Sequence, residues 1–498
     1  MAPRGVVAAG HALTAEAGAS ILREGGNAVD AAVAAVMASF SVESALTGLG
    51  AGGFMIVSAP DSEPVLLDFF VAAPGHGGLE RRGELIPVPV HFDANTTQIF
   101  NAGAASCGVP GVAAGLSMAL ARFGSMEIGD LIGPGVRLAR EGAPLNREQA
   151  YVLRILEPIY TSTPEAREIY APEGRIVREG ELFRFPDLAI ALERYAAEGS
   201  AAFYGGEVAA AIEEYVAGLG GVLSAADMAA YEAIPRVPVA ADFEGYEIFT
   251  NPPPSAGGIL IALCLSLLRR AGGCGTLEIE RAMEVANAAR RSGFAERLER
   301  PGFAEEFLSG DSIDRLGSTT HLAAMDEHGL CASVTCSNGT GSGLVVPGTG
   351  IHLNNMLGEE DLNPLGFHKS IPGSRVSSMM SPTVVRRDGE VIAGLGSAGS
   401  NRIRSAVLQT TINLLDGGME PQEAVDAARV HLEAGVLQAE PGVDERALRA
   451  LERRGREVFR WTEKNLFFGG VQIVTRDPRT GELGGGGDPR RGGAVAYA

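Results

Sequence analysis

Three observations predict an α+β fold, a sandwich of sheets covered by helices. The early residues are Ala-rich with helical spacing. Apolar runs beside Gly and Asp-Gly turns then read as paired strands, and helical spacing returns after them. With 498 residues the chain can bury one large layered core or two closely packed ones.

Residues 12–40 carry the helical pattern but are broken by Gly25, Gly26 and Asn27, which predicts two helices joined by a tight turn. The segment 50–53 (GAGG) leads into apolar runs at 54–59 and 65–70, both read as strands. From about 110 to 300 the pattern is mostly helical. Ser224 with Asp227 reads as a helix start, the hydroxyl capping and the carboxylate lying in the first turn. The run 251–254 (NPPP) stops any preceding element, and a helix follows from about Ala256. Residues 300–318 are polar without apolar period and read as an exposed linker. At Thr319 the character changes. Residues 321–325 and 330–337 read as strands around the turn 326–329, and 383–387 and 390–395 as a hairpin on Asp388-Gly389. Helices follow at about 402–415 and 421–430, the second with Pro421 in its first turn. The tail from 468 reads as another hairpin with a Gly-rich turn region at 484–487.

Composition narrows the function classes. Hydrophobic residues make up 46% and charged residues 20%, ordinary for a globular protein. The net charge of −20 repels phosphate backbones and argues against a nucleic-acid partner. Cys107, Cys264, Cys274, Cys331 and Cys336 are odd in number and form no C-x-x-C pair, so they read as buried free thiols; neither a disulfide framework nor a metal site is indicated, and no cofactor is expected. The first residues lack the pattern of a signal peptide, and no apolar window of membrane-spanning length appears, so a cytoplasmic setting without membrane contact is expected.

The chemistry points to residues 318–321 (STTH). A Ser/Thr cluster opening a strand is ordinary, and His321 alone reads more readily as a packed strand residue than as a base. The context is informative: a polar linker ends and a two-stranded unit begins here. A Thr hydroxyl is a poor nucleophile without a base beside it. Cleavage between Ser318 and Thr319 frees the Thr319 amine and supplies that base on the same residue. An oxyanion site and a substrate pocket complete the requirement.

Here the sequence resembles the gamma-glutamyltranspeptidase family, and does so nearly end to end. The motifs are 25–32 (GGNAVDAA), 50–55 (GAGGFM), 107–115 (CGVPGVAAG), 252–258 (PPPSAGG), 319–321 (TTH), 353–355 (LNN), 377–382 (SSMMSP), 396–402 (GSAGSNR) and 487–490 (GDPR), in the family's order. The resemblance implies a four-layer αββα Ntn-hydrolase sandwich with two stacked antiparallel sheets. It further implies one chain that cuts itself into a large portion, 1–318, and a small portion, 319–498, sharing one core. It assigns Thr319 as nucleophile and Ser337 as a hydroxyl near it. It gives Gly399 and Ser400 as the oxyanion turn, and puts Asn338, Glu359 and Ser378 where the family holds the amino and carboxylate groups of a glutamyl substrate. The substrate is then a small amide such as glutathione, the acceptor water or an amine, and a homodimer of the processed pair is compatible with it.

The sequence also departs from the family. Phe70 stands where an Arg would grip the substrate α-carboxylate by bidentate bonds, which Phe cannot make. Met356 and Met379 replace polar residues. The catalytic half is kept and the glutamate-recognition half rewritten. An alternative is therefore an acylase for a less polar acyl group, like the cephalosporin acylases, and a second is a non-catalytic family member. Arg375 is the favoured replacement cation for a substrate carboxylate.

Overall fold

The computed structural model describes residues 3–91, 97–289, 298 and 319–498. The linker expected at 300–318, Ser318 included, lies outside them. At the N-terminus the two expected helices are Ala12–Glu24 and Ala28–Val42. Gly25 closes the first at φ 101°, a left-handed conformation that costs Gly little. Asn27 caps the second in a capping box with Asp30. Every residue of Ala28–Val42 is buried, so this helix lies inside the protein rather than on its surface.

Two antiparallel sheets form the centre. The first runs in the order Ala494–Tyr497, Gly5–Ala9, Thr320–Asp326, Cys331–Ser337, Gly52–Ser58, Val65–Phe69, Ile234–Arg236. The second runs Leu483–Gly487, Gly470–Arg476, Glu390–Ala398, Thr383–Arg387, Tyr246–Thr250, Val239–Phe243. Strand alternation sorts their side chains. Val6, Ala8, Phe54, Ile56, Ala323 and Met325 meet Val384, Val391 and Val474 between the sheets. Their neighbours Val7, Ala9, Met55, Val57, Leu322 and Ala324 pack on the two N-terminal helices. On the far side Ala393, Leu395, Val471 and Ile473 pack against helices Gly257–Ala271 and Arg402–Leu415. The layers are helix, sheet, sheet, helix, the expected αββα order.

The strands around Asp388-Gly389 pair as expected, with φ 53° and 84° at the turn. Three readings are corrected. The mostly helical stretch 110–300 contains Ile234–Arg236, Val239–Phe243 and Tyr246–Thr250, which form edges of both sheets. The helix expected to reach 430 stops at Asp426, and Val430–Glu433 is a strand. Gly484–Gly487 belongs to a strand, not to a turn: a Cβ on Gly485 or Gly487 would collide with Val495 or with the backbone of Gly493 and Ala494. All five cysteines are free thiols, four buried and Cys274 half-buried.

Candidate active site

The strand Thr320–Asp326 is central in the first sheet, and its register with Cys331–Ser337 pairs Thr320 with Cys336. One further step along that register sets Thr319 opposite Ser337. Alternation turns Thr319, His321 and Ala323 toward the second sheet and Thr320 toward the helix layer. Thr319 is buried, 2% exposed, at the end of the sheet sandwich.

The second sheet delivers the other half at the same end. Strand Glu390–Ala398 ends in Gly399, φ 118°, and Ser400, φ 69°, and helix Arg402–Leu415 begins directly after them. Consecutive positive φ values curl the backbone so that successive N–H groups converge, at the start of a helix whose dipole favours negative charge. The carbonyls of Gly399 and Ser400 accept from Arg402 and Ile403 N–H at 3.2 and 2.9 Å, which ties the turn to the helix. Holding a non-Gly residue at φ 69° costs about 1 kcal/mol, a sign that the turn is over-determined by its surroundings.

Thr319 and Ser400 line one small, partly open cleft with about 220 Å³ of space, together with Phe70, Met356, Glu359, Leu362, Ser378, Met379, Met380 and Ile403. Five residues assigned from sequence (Thr319, Ser400, Phe70, Glu359 and Ser378) thus meet. Met356 and Met379, the two departures, share the wall. Phe70 stacks on Phe54 at 5.2 Å between ring centres. Glu359 Oε1 accepts from Thr340 N–H at 3.1 Å, and Ser378 Oγ accepts from Met380 N–H at 3.0 Å. A roomier cleft, with about 1060 Å³ of space by the same measure, lies beside Glu165, Asp187 and Val345–Val346 and has no Ser, Thr or Cys in its lining; size alone would select the wrong place.

Other assignments fare differently. Asn338 does not line the cleft. Its Nδ2 donates to His352 O at 3.0 Å and its backbone bridges Leu46 and Asn355, so it braces the loops behind the site. Ser337 Oγ accepts from Gly339 N–H at 2.7 Å. Arg375 is not available to a substrate. It pairs with buried Asp68 at 3.2 Å, donates to the Glu232 carbonyl and stacks over Tyr231. Asp68 also binds Arg236 at 2.7 Å and accepts from Phe70 N–H at 3.0 Å. The strand that would carry a substrate-gripping Arg is instead held by two Arg bound to its own carboxylate.

Sequence reasoning missed two charged residues around Thr319. Glu43, at the end of helix Ala28–Val42, accepts from Thr14 Oγ1 at 2.8 Å and from Thr320 Oγ1 at 2.6 Å. Burial pushes its carboxyl above the usual range against the pull of these bonds. A carboxylate just past a largely apolar helix whose other acid, Asp30, serves its cap was the available signal. Arg491 donates from Nη1 to Thr319 O at 3.5 Å and from Nη2 to Leu466 O at 3.4 Å. Nothing in its sequence context separated it from Arg490.

His321 is no base. Its Nδ1 meets Thr335 Oγ1 at 2.8 Å, its ring packs over Gly396, and burial pulls its pKa down to about 3. Among the described residues no cluster of metal-ligating side chains occurs, and no helix is long and apolar enough to cross a membrane.

The profile of the family described as Gamma-glutamyltranspeptidase matches residues 14–300 and 302–498. The acylase ACY 1 proenzyme of Pseudomonas sp. (strain SE83) is 31% identical to this chain, over 95% of this chain and 90% of the relative. The glutathione hydrolase proenzyme of Escherichia coli (strain K12) is 30% identical, over 98% and 91%. A crystal structure of a cephalosporin acylase from Bacillus halodurans superimposes with a TM-score of 0.84 at 28% identity, covering 99% of this chain and 96% of that one.

Proposed function

This chain belongs to the gamma-glutamyltranspeptidase family, and on that footing we propose that it cuts itself before Thr319 and then hydrolyses or transfers a γ-glutamyl or related acyl group from a small amide. The observation that carries the reading is the meeting of Thr319, from the first sheet, with the Gly399-Ser400 turn, from the second, in one cleft.

In self-cleavage the Thr319 hydroxyl adds to the carbonyl carbon of residue 318. The peptide C–N bond breaks, the acyl group passes to oxygen, and Thr319 nitrogen takes the hydroxyl proton. Water then opens the ester, leaving a carboxylate on residue 318 and a free amine on Thr319. In turnover that amine accepts the hydroxyl proton as Oγ adds to the substrate amide carbon. The N–H groups of the Gly399-Ser400 turn face the oxygen on which charge develops. The tetrahedral intermediate collapses, the amine takes the proton and leaves, and water or a second amine releases the acyl group from Oγ. Mass spectrometry of purified protein is the first test. Two fragments, 1–318 and 319–498, are expected from the natural sequence and one full-length chain without turnover from Thr319→Ala. Cutting at this bond in pure Thr319→Ala protein would overturn the mechanism.

Within this activity the cleft favours an acyl group without an α-carboxylate. Apart from Glu359 and Ser378 its wall is apolar, with Phe70, Met356, Leu362, Met379, Met380 and Ile403, and Arg375 is bound to Asp68. A carboxylate facing that wall would lose its water without gaining a cation, at a cost of several kcal/mol (~2–5) if buried. Glutaryl- and butyryl-p-nitroanilide are expected to exceed γ-glutamyl-p-nitroanilide in kcat/KM. The reverse order would sink this substrate preference and leave the family activity standing.

A further inference from the structure

Arg490 and Arg491 are neighbours with opposite fates. Arg490 is bound to Glu440 at 2.5 Å and to Asp488 at 3.1 Å, and Arg429 binds Asp488 at 2.6 Å. Arg491 forms no ion pair among the described residues, and its Nε is buried without a hydrogen-bond partner. Its two Nη groups reach backbone carbonyls only, those of Thr319 and Leu466. The stem gets there by passing against Gly470, where any Cβ would collide with Arg491 Cβ, Cγ and Cδ. Nη2 lies 3.4 Å from where a Cβ of Gly399 would stand, so the guanidinium touches the nucleophile residue and flanks the oxyanion turn together.

A carbonyl is a weak reason to bury a cation, since it leaves the charge uncompensated. From this placement we infer that Arg491 is a positioning residue that keeps the freed amine of Thr319 neutral, and so able to act as a base, by holding an unpaired positive charge on that residue's own carbonyl. The inference rests on the self-processing reading above. An α-amine in water titrates at about 7.7–8.0, so at neutral pH most of it would be protonated and unable to accept the hydroxyl proton. Residue geometry puts the Thr319 amine within about 7 Å of the guanidinium, and a like charge at that range disfavours ammonium.

The other charges around the amine do not cancel this effect. Glu43, from the helix layer, is engaged by two Thr hydroxyls and pushed by burial toward its neutral form. Asp488 is shared between Arg429 and Arg490. Glu359, across the cleft, acts with Glu433 and Asp361 on Arg402. Arg402, at the helix start, donates through Nε to Phe467 O at 3.0 Å, and its charge is offset chiefly by Glu433. Burial pulls Arg491 itself down to about 10, which leaves it cationic at neutral pH.

The test is the pH dependence of kcat/KM for an acyl p-nitroanilide, measured on the processed enzyme. Arg491→Gln removes the charge and keeps a donor for the Thr319 carbonyl; Arg491→Lys keeps the charge. The acid limb is expected to rise by about 0.5–1 unit in Arg491→Gln and to stay with the wild type in Arg491→Lys. On the acid side Arg491→Gln therefore loses roughly three- to tenfold, while the alkaline plateau falls less because the amine is neutral there in both proteins. A Gln variant whose profile drops evenly at all pH values would make Arg491 a structural prop and overturn the inference. So would an acid limb displaced equally by Lys, or a Gln variant that stays uncut, which would assign the charge to self-cleavage instead. Absence of turnover in the wild type would fail the family reading itself, a distinct result.

Discussion

The two walls of the cleft are built differently. One consists of strand ends: Thr319 opens a central strand of the first sheet, and Gly399-Ser400 closes a central strand of the second. The other consists of side chains, with Met356 and Leu362 on single 3-10 turns, Glu359, Ser378 and Met379 on loops, and Phe70 just past the end of Val65–Phe69. On the proposed mechanism the first wall works through backbone N–H groups and one hydroxyl, so a Ser in the turn is tolerated. The second works through side-chain chemistry, where Phe in place of Arg is proposed to change the ligand class. Chemistry fixed in backbone geometry tolerates substitution better than specificity carried by side chains.

That contrast is sharpest at Ser400. Ser400→Pro deletes an N–H and, with φ locked at about −65°, also cannot hold the turn at φ 69°, so it is expected to lower kcat by at least about 10²–10³, while Ser400→Ala stays within a few-fold. Steady-state kinetics on a p-nitroanilide reads both, and equal effects would move the oxyanion donors elsewhere. On the opposite wall, Asp68→Ala strips both Arg236 and Arg375 of their carboxylate. Urea unfolding is expected to show a loss of about 3 kcal/mol, with Arg236 partly sheltered by solvent. A loss near zero would mean that this network does not brace the wall. Phe70→Arg should shift the ratio of γ-glutamyl to butyryl turnover by roughly tenfold toward γ-glutamyl, the size of one charge-assisted bond. No shift would show that the new cation joins Asp68 instead of the substrate.

The smallest effect near neutral pH belongs to His321. Its folded pKa of about 3 lies below its ordinary 6.5, so between these values the unfolded chain binds the extra proton. Stability is therefore full above about pH 6.5 and falls as pH drops toward 3, by up to about 1.4 kcal/mol per pH unit for this group. His321→Gln should flatten that acid slope in denaturant titrations and leave the acid limb of kcat/KM in place. A displaced limb would return His321 to the chemistry.

Much of this was legible along the chain because local signals agreed. Gly25, Gly26 and Asn27 each suit one position of a helix-turn-helix, and Asp388-Gly389 suits a two-residue hairpin. The edge strands were not legible. Ile234–Arg236 is three residues with a Pro at its centre, and edges are where a strand tolerates Pro. Nor were Arg491 and Glu43. Arg491 touches Thr319 across 172 positions of sequence and Glu43 touches Thr320 across 277, and no local pattern encodes such a meeting. Asn338 is the opposite case: its place in the motif order suggested a ligand contact, and its amide Nδ2 instead donates to His352 O.

The interleaving of the sheets has a consequence for the life of the molecule. In the first sheet Gly5–Ala9 lies between Ala494–Tyr497 and Thr320–Asp326, so a strand from before residue 319 is flanked by two from after it. While the chain is intact, closing those long-range pairings is intramolecular, and its entropic cost grows only slowly with loop length. With the proposed cut before Thr319, the same pairings join two polypeptides, and restoring them after denaturation is a second-order process. The folded enzyme then keeps a shape that its own sequence, in two pieces, no longer finds at high dilution. Its persistence is set by the height of the unfolding barrier rather than by a reversible equilibrium.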